Sequence, residues 1–343
     1  MQPTFSFALL TFALFVSSPL SAQQSEPSQR NETIRIGIIG LDTSHVLAFT
    51  KSFNQEPAAE DMQNCRVVAA YPHGSRDIES SRSRIPKYTE AVKELGVEIV
   101  DSIDELLSKV DCVLLETNDG KPHLEQALQV FRAGKPVFID KPTGSKLSEV
   151  VAIFRAAKQH DVPMFSSSSL RFSDGPQHIR SGGAGDVLGC ATHSPCSLEP
   201  SHVDLYWYGI HGVEILFTCM GPGCVSVSHT TAKDSELAVG VWEDGRIGTF
   251  RGMRDTKIGY GGTVFGKKGN TSVGKFDGYQ PLCRQIAKFF RTKKTPIDPK
   301  ETIEIYAYMQ AAAESKKLGG QHVKIADVMA RAEAEADELL KAK

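Results

Sequence analysis

Groups capable of proton chemistry recur just after short apolar runs. Asp42, Thr43, Ser44 and His45 follow Ile34-Arg-Ile-Gly-Ile-Ile-Gly40, and Ser75 and Arg76 follow Arg66-Val-Val-Ala-Ala-Tyr71. Thr117, Asn118, Asp119 and Lys121 follow Cys112-Val-Leu-Leu115, and Asp140 and Lys141 follow Pro136-Val-Phe-Ile139. A lysine so placed can polarise an oxygen. Histidine titrates nearest neutral pH and can take or return a proton. His211, in Gly209-Ile-His211, is one such histidine. Plainer readings stand beside these: Lys141 as a surface lysine in a turn, His211 as a satisfied helix histidine. Trp207, between Tyr206 and Tyr208, offers a platform for a sugar face or ordinary core packing. His202-x-Asp204 and His211-x-x-Glu214 have ligand-like spacing, but neither is diagnostic. No metal is expected.

The runs that would position these groups alternate with helical patterns. Strands are predicted at Ile34–Gly40, Arg66–Tyr71, Cys112–Leu115, Pro136–Ile139 and Pro163–Ser166. Helices are predicted at Val46–Phe53, Ser102–Ser108, Pro122–Ala133 and Lys146–His160, with Asp42, Thr43 or Ser44 capping the first and a Ser102–Glu105 capping box opening the second. Such alternation implies a parallel sheet with right-handed crossovers, whose ligands bind at the carboxyl ends of the strands. After Phe172 the pattern changes. Strands are predicted at Val225–Thr230, Glu236–Trp242, Ile247–Arg251 and Gly262–Phe265, with Asp244-Gly245 as a hairpin turn, followed by helices Pro281–Phe290 and Pro299–Lys317. The fold class is therefore α/β, a doubly wound Rossmann-type parallel sheet, plus a C-terminal α+β domain with an open, mainly antiparallel sheet.

The 343 residues carry 39 Lys+Arg and 41 Asp+Glu, with 41% hydrophobic and 23% charged residues. That balance excludes a disordered chain and a multi-span membrane protein. The near-neutral charge, without a basic block, argues against nucleic-acid binding. Phe5–Val16 is an uncharged apolar run followed by Ser17-Ser-Pro-Leu-Ser-Ala22, too short to span a bilayer comfortably. Residues 1–22 read as a secretory signal, 23–32 as a linker, 33–172 as the Rossmann domain and 173–343 as the second domain. The expected destination is the periplasm or the exterior, with no membrane span after cleavage. Of the 7 cysteines, Cys190/Cys196 and Cys219/Cys224 are close in sequence, while Cys65 and Cys112 look like small buried hydrophobes.

The run Asp111-Cys-Val-Leu-Leu-Glu-Thr-Asn … His123-Leu-Glu-Gln-Ala-Leu … Ala133-Gly-Lys-Pro-Val-Phe-Ile-Asp-Lys-Pro142 resembles the Gfo/Idh/MocA oxidoreductases. Asp140-Lys141-Pro142 stands for the family's Glu-Lys-Pro, and Ser169-Leu-Arg171-Phe172 looks like its Arg-Phe pair. Gly209-Ile-His211 looks like the end of Asp-x-Gly-x-His. The resemblance implies a nicotinamide cofactor, NAD or NADP, held along Gly40, Asp42, Thr43, Ser44 and His45, by Thr117 and Asn118, and by Asp140, Lys141 and Pro142. It implies a sugar, cyclitol or related hydroxyl substrate, with Lys141 on nicotinamide ribose and substrate hydroxyl and His211 as acid/base. A homo-oligomer is expected by analogy.

The chain also departs from that pattern. In the expected Gly-x-Gly-x-x-Gly, Asp42 replaces the second glycine and His45 the third. Asp42 would bring negative charge towards phosphate, or turn away and cap the helix. No carboxylate follows the second strand before Asp77; Ser75 and Arg76 would suit the 2′-phosphate of NADP. Trp207 replaces the family's Asp, with Asp204 or Glu214 as substitutes. Arg171, Trp207, Tyr208 and Glu214 are candidate substrate contacts. Free nicotinamide cofactors are scarce outside the cytoplasm, so an exported enzyme would retain its cofactor, as suits a reaction without net redox change. The alternative is a cofactor-free carbohydrate-binding or scaffold protein with the same two-domain shape.

Overall fold

Short β-branched segments need both faces covered, and here they line up side by side. β1 (Ile34–Ile39), β2 (Cys65–Tyr71), β3 (Glu98–Ile99), β4 (Cys112–Leu115), β5 (Val137–Ile139) and β6 (Met164–Ser166) form one sheet in the order β3-β2-β1-β4-β5-β6. Every pairing in it is parallel. This is the doubly wound order, with its crevice where β1 meets β4. The computed structural model describes Met1, Pro3 and residues 32–342. The predicted signal segment 1–22 lies outside the described residues but for Met1 and Pro3, and the linker 23–32 but for Glu32.

The helices between these strands are α1 (His45–Asn54), α2 (Glu79–Arg82), α3 (Ile85–Glu94), α4 (Ile103–Lys109), α5 (His123–Arg132) and α6 (Leu147–Gln159). The predicted capping box is present at α4: Ser102 Oγ accepts the Glu105 N–H at 3.1 Å, and the Glu105 carboxylate accepts the Asp101 N–H at 3.1 Å. The sequence reading left residues 72–101 without elements. They form α2, α3 and β3, short pieces whose apolar periodicity is weak.

The second half contains α7 (Asp174–Arg180), β7 (Val187–Pro195), α8 (Ile210–Met220), β8 (Cys224–Ala232), β9 (Ser235–Trp242), β10 (Ile247–Met253), β11 (Gly261–Gly266), β12 (Gly269–Ser272), α9 (Gln280–Thr292), α10 (Pro299–Lys317), β13 (Val323–Lys324) and α11 (Ile325–Lys341). Its sheet runs β12-β11-β7-β10-β9-β8-β13 and is antiparallel except where β7 meets β10. The predicted fold class is the one observed. α7, β7, β12, β13 and α11 were not anticipated. The buried face of α11, Ile325, Val328, Ala332 and Ala336, is half alanine and leaves little hydrophobic signature.

One face of the parallel sheet packs on α1, α3 and α9, with Leu282, Ile286, Phe289 and Phe290 of α9 joining Ile36, Phe49, Phe138 and Phe165. Phe165 and Phe289 meet edge to face with centroids 5.0 Å apart. Late in the chain, α9 thus returns to cover the first sheet. All seven cysteines are free and buried, so neither sequence-adjacent pair is bridged. Among the described residues, no helix is long and apolar enough to cross a membrane.

Candidate active site

Gly40 ends β1 with φ at +98°, and a Cβ there would come within 2.4 Å of the Thr117 nitrogen. The turn therefore lies directly on the loop after β4, as a tight first glycine requires. Asp42 is fully buried, and its carboxylate does not cap α1. Its Oδ1 accepts the Asn118 N–H and its Oδ2 the Ser75 N–H, both at 2.9 Å. Burial raises its pKa to about 6 against the pull of those two bonds. The N-cap residue is Ser44, which makes no side-chain capping bond.

His45 takes the third-glycine position and points into the protein. Its Nδ1 lies 2.7 Å from Asp140 Oδ2, and its ring stacks on Phe49 and tilts against Tyr279. His123 holds two loops together: Nε2 meets Thr117 O at 2.7 Å and Nδ1 meets Thr143 O at 3.2 Å. Pro142 is buried behind Lys141.

Ser75 is committed inwards. Beyond its bond to Asp42, its hydroxyl donates to Asp119 Oδ2 at 2.6 Å. Arg76 is exposed and does not line the cavity described next. The residue pair proposed for a 2′-phosphate therefore does not converge. Lys121 pairs with Asp77 at 3.4 Å, also away from the cavity.

A cavity of about 220 Å³ opens at the carboxyl edge of the parallel sheet. Thr43, Ser44, His45 and Asn118 line one side, with Lys141, Trp207, Tyr208 and His211 on the other. Arg84 at the N-cap of α3, Tyr88 within it, and Tyr260, Phe276 and Tyr279 also line it. Lys141 is buried, with Nζ 6.0 Å from the Tyr208 ring centre. Burial pushes the Tyr260 and Tyr279 phenols up to about 12, so both stay hydrogen-bond donors near neutral pH.

His211 reaches this cavity because α8 lies hard against the second sheet. A Cβ at Gly212 would come within 2.3 Å of Phe250, and Thr192 Oγ1 donates to Gly212 O at 2.9 Å. Burial, then the Lys141 charge, hold the His211 pKa well below the ordinary range, so the ring is neutral at pH 7. Its Nδ1 lies 2.7 Å from Ser168 Oγ. A carboxylate there would only accept and would hold the proton on Nδ1. A hydroxyl can donate or accept, so Ser168 suits either neutral tautomer.

Neither acidic substitute expected for this place reaches His211. Asp204 pairs with Lys316 at 2.8 Å. Glu214 is bonded to Arg171, and its Oε1 also accepts from Ser167 Oγ at 3.1 Å. Arg171 is buried between Glu214 and Glu301, 2.7 Å from the latter, and is a core ion pair rather than a substrate contact. Tyr206 is core as well, donating to Tyr306 O at 3.1 Å, whereas Trp207 and Tyr208 do line the cavity. The ligand-like spacings gather no cluster: His202 Nε2 accepts the Gly120 N–H at 3.1 Å, and Glu214 belongs to Arg171.

Sequence reasoning missed Ser168, Arg84, Tyr260 and Tyr279, and gave Glu116 no role beyond its place after a strand. Ser168 lies in the run Ser166-Ser-Ser-Ser169 directly after β6, and Glu116 abruptly ends an apolar strand; both were visible signals. The tyrosines come from loops that only the tertiary fold brings near β1.

Residues 34–167 match the family model described as oxidoreductase family, NAD-binding Rossmann fold. Over those residues the chain is similar to the Gfo/Idh/MocA oxidoreductases. An uncharacterized oxidoreductase from Streptococcus pneumoniae is 33% identical over 114 residues, 31% of each chain. An inositol 2-dehydrogenase from Serratia proteamaculans is 26% identical over 239 residues, 66% of each chain. The chain thus matches about a third and just under two thirds of the lengths of these relatives. The crystal structure of scyllo-inositol dehydrogenase from Lactobacillus casei, with NAD(H) and scyllo-inositol, superimposes with a TM-score of 0.69. It covers 86% of this chain and 100% of that one at 18% identity, so the likeness in fold extends through the second sheet.

Proposed function

We propose that this chain is an NAD(P)-dependent oxidoreductase acting on a CH–OH carbon of a sugar or cyclitol. The observation that carries the reading is a single cavity lined both by the start of α1 and by Lys141 and His211. The residues fit a dinucleotide in two respects: Gly40 retains the tight turn, and the Asp42 charge is turned away and met by two N–H groups. Thr43, Ser44, His45 and Asn118 would hold the cofactor, with the α1 N-terminus and Arg84 favouring its phosphates. When bound, it supplies a hydride acceptor or donor. Lys141 donates to the substrate oxygen and stabilises negative charge on it. Neutral His211 takes the hydroxyl proton at Nε2 while Nδ1 donates to Ser168 Oγ, and returns it in the reverse direction. Trp207 and Tyr208 present ring faces suited to sugar C–H groups. The named inositol dehydrogenases support a polyol ring as the substrate class.

Export by the N-terminal apolar run and a retained cofactor belong to the same reading, as does a homo-oligomer built through the open sheet. The test is calorimetric titration with NAD and NADP, then a screen of inositols and monosaccharides for absorbance change at the nicotinamide band. Lys141→Ala and His211→Ala are expected to abolish turnover with circular dichroism unchanged. Full activity in both would remove the assignment.

A second reading, a cofactor-free binder of a small carbohydrate, is favoured by Asp42 and His45 at two glycine positions. The 220 Å³ cavity, below the ~300–1,000 Å³ of ordinary ligand pockets, also suits a single ring. Polyol binding by a folded sample that takes up neither dinucleotide would select it.

A further inference from the structure

We infer that His45, Glu116 and Asp140 form a binding site for one divalent first-row cation such as zinc or manganese. Three adjacent strands deliver the ligands. His45 opens α1 after β1, Glu116 directly follows β4, and Asp140 directly follows β5. Donor atoms of the three residues lie within 4.8 Å of one another, and all three side chains are buried. One imidazole and two carboxylates are a donor set that zinc and manganese accept.

The independent observation is Glu116. It is fully buried, yet neither of its carboxylate oxygens has a hydrogen-bond partner among the described residues. Asp140 Oδ1 is likewise without a partner, although Oδ2 meets His45. Unmade bonds on buried carboxylates are costly, and two such groups side by side repel as well. A cation answers all the orphaned oxygens at once. A single shared proton would meet only part of the deficit. Phe49 and Tyr279 hold the His45 ring from two sides, so the nitrogen donor is fixed before binding.

This site does not depend on the proposed oxidoreductase activity, and its test does not read that activity. The full chain is purified without chelator and its metal content measured by mass spectrometry. It is then stripped with EDTA and titrated with zinc and with manganese, following the melting temperature. The expected result is about one metal ion per chain, or a melting-temperature rise on titration with either metal. Glu116→Gln keeps the shape and removes the charge, so it should fold and weaken metal binding by roughly a hundredfold. Asp140→Asn should do the same, and serves if the first variant misfolds. A wild-type chain with no metal and no response to either ion overturns the proposal, as does a Glu116→Gln protein with unchanged affinity. In the first case a proton shared between the two carboxyls is the answer.

Discussion

Asp42→Asn isolates one buried charge. The carboxylate accepts two backbone N–H groups, from Ser75 and Asn118. Asparagine can accept only one of them and turns its own N–H₂ against the other. Leaving that N–H unpaired costs about 1–3 kcal/mol at any pH. The charge acts in the opposite sense. Burial raises the Asp42 pKa from 3.8 to about 6. A group raised in the folded state contributes stability that is fully present below its unfolded pKa and lost as pH rises through the folded one. The loss is roughly 3 kcal/mol in total, of which about 2 kcal/mol falls between pH 4.5 and 7.5. Asparagine has no such dependence. The variant should therefore be clearly less stable at pH 4.5 and recover about 2 kcal/mol relative to wild type by pH 7.5. Urea unfolding of both proteins across that range measures the difference, and titrations common to both cancel. A gap constant within about 0.5 kcal/mol would mean that the carboxylate is not buried and charged as described.

Three further outcomes follow from the same structure. Ser168→Ala should lower kcat about tenfold with KM little changed and alter the pH–rate profile, while Ser168→Thr restores both; an unaltered kcat would show that Ser168 does not orient His211. Arg171→Met leaves Glu214 buried without its cation and should destabilise the fold by about 3–5 kcal/mol; a loss under about 1 kcal/mol in urea would refute the ion-pair reading. Gly40→Ala forces a Cβ onto the Thr117 nitrogen at a positive φ, so a loss of at least roughly 2 kcal/mol should appear in thermal unfolding.

Much of the parallel sheet was legible because its strands are short β-branched runs and its helices carry plain signals, such as Ser102 with Glu105. Residues just after strands were the right ones to inspect, since topology alone sends ligands there. Side-chain direction was not legible. Asp42 stood in the phosphate-loop position and Ser75 in the 2′-phosphate position, yet both turn inwards because each finds a buried partner across the sheet edge. Glu214 sits one turn beyond His211, but Arg171 from another segment claims it. Ser168 lies far from His211 in sequence, and no spacing rule connects residues joined only by tertiary packing.

The return of α9 to the first sheet also sets the order in which this protein can become a protein. Phe138 and Phe165 are in place long before Phe289 leaves the ribosome. Until then, the part of that face which α9 covers, Phe165 included, is an exposed aromatic surface. Chain synthesis runs at about 5–20 residues per second, so that exposure lasts for seconds, ample time for a chaperone or a neighbouring chain to bind. Residues 33–172 expressed alone would carry that uncovered face permanently. They should be soluble only in the company of something else that covers it, and a peptide spanning Gln280–Thr292, added in trans, is the natural candidate.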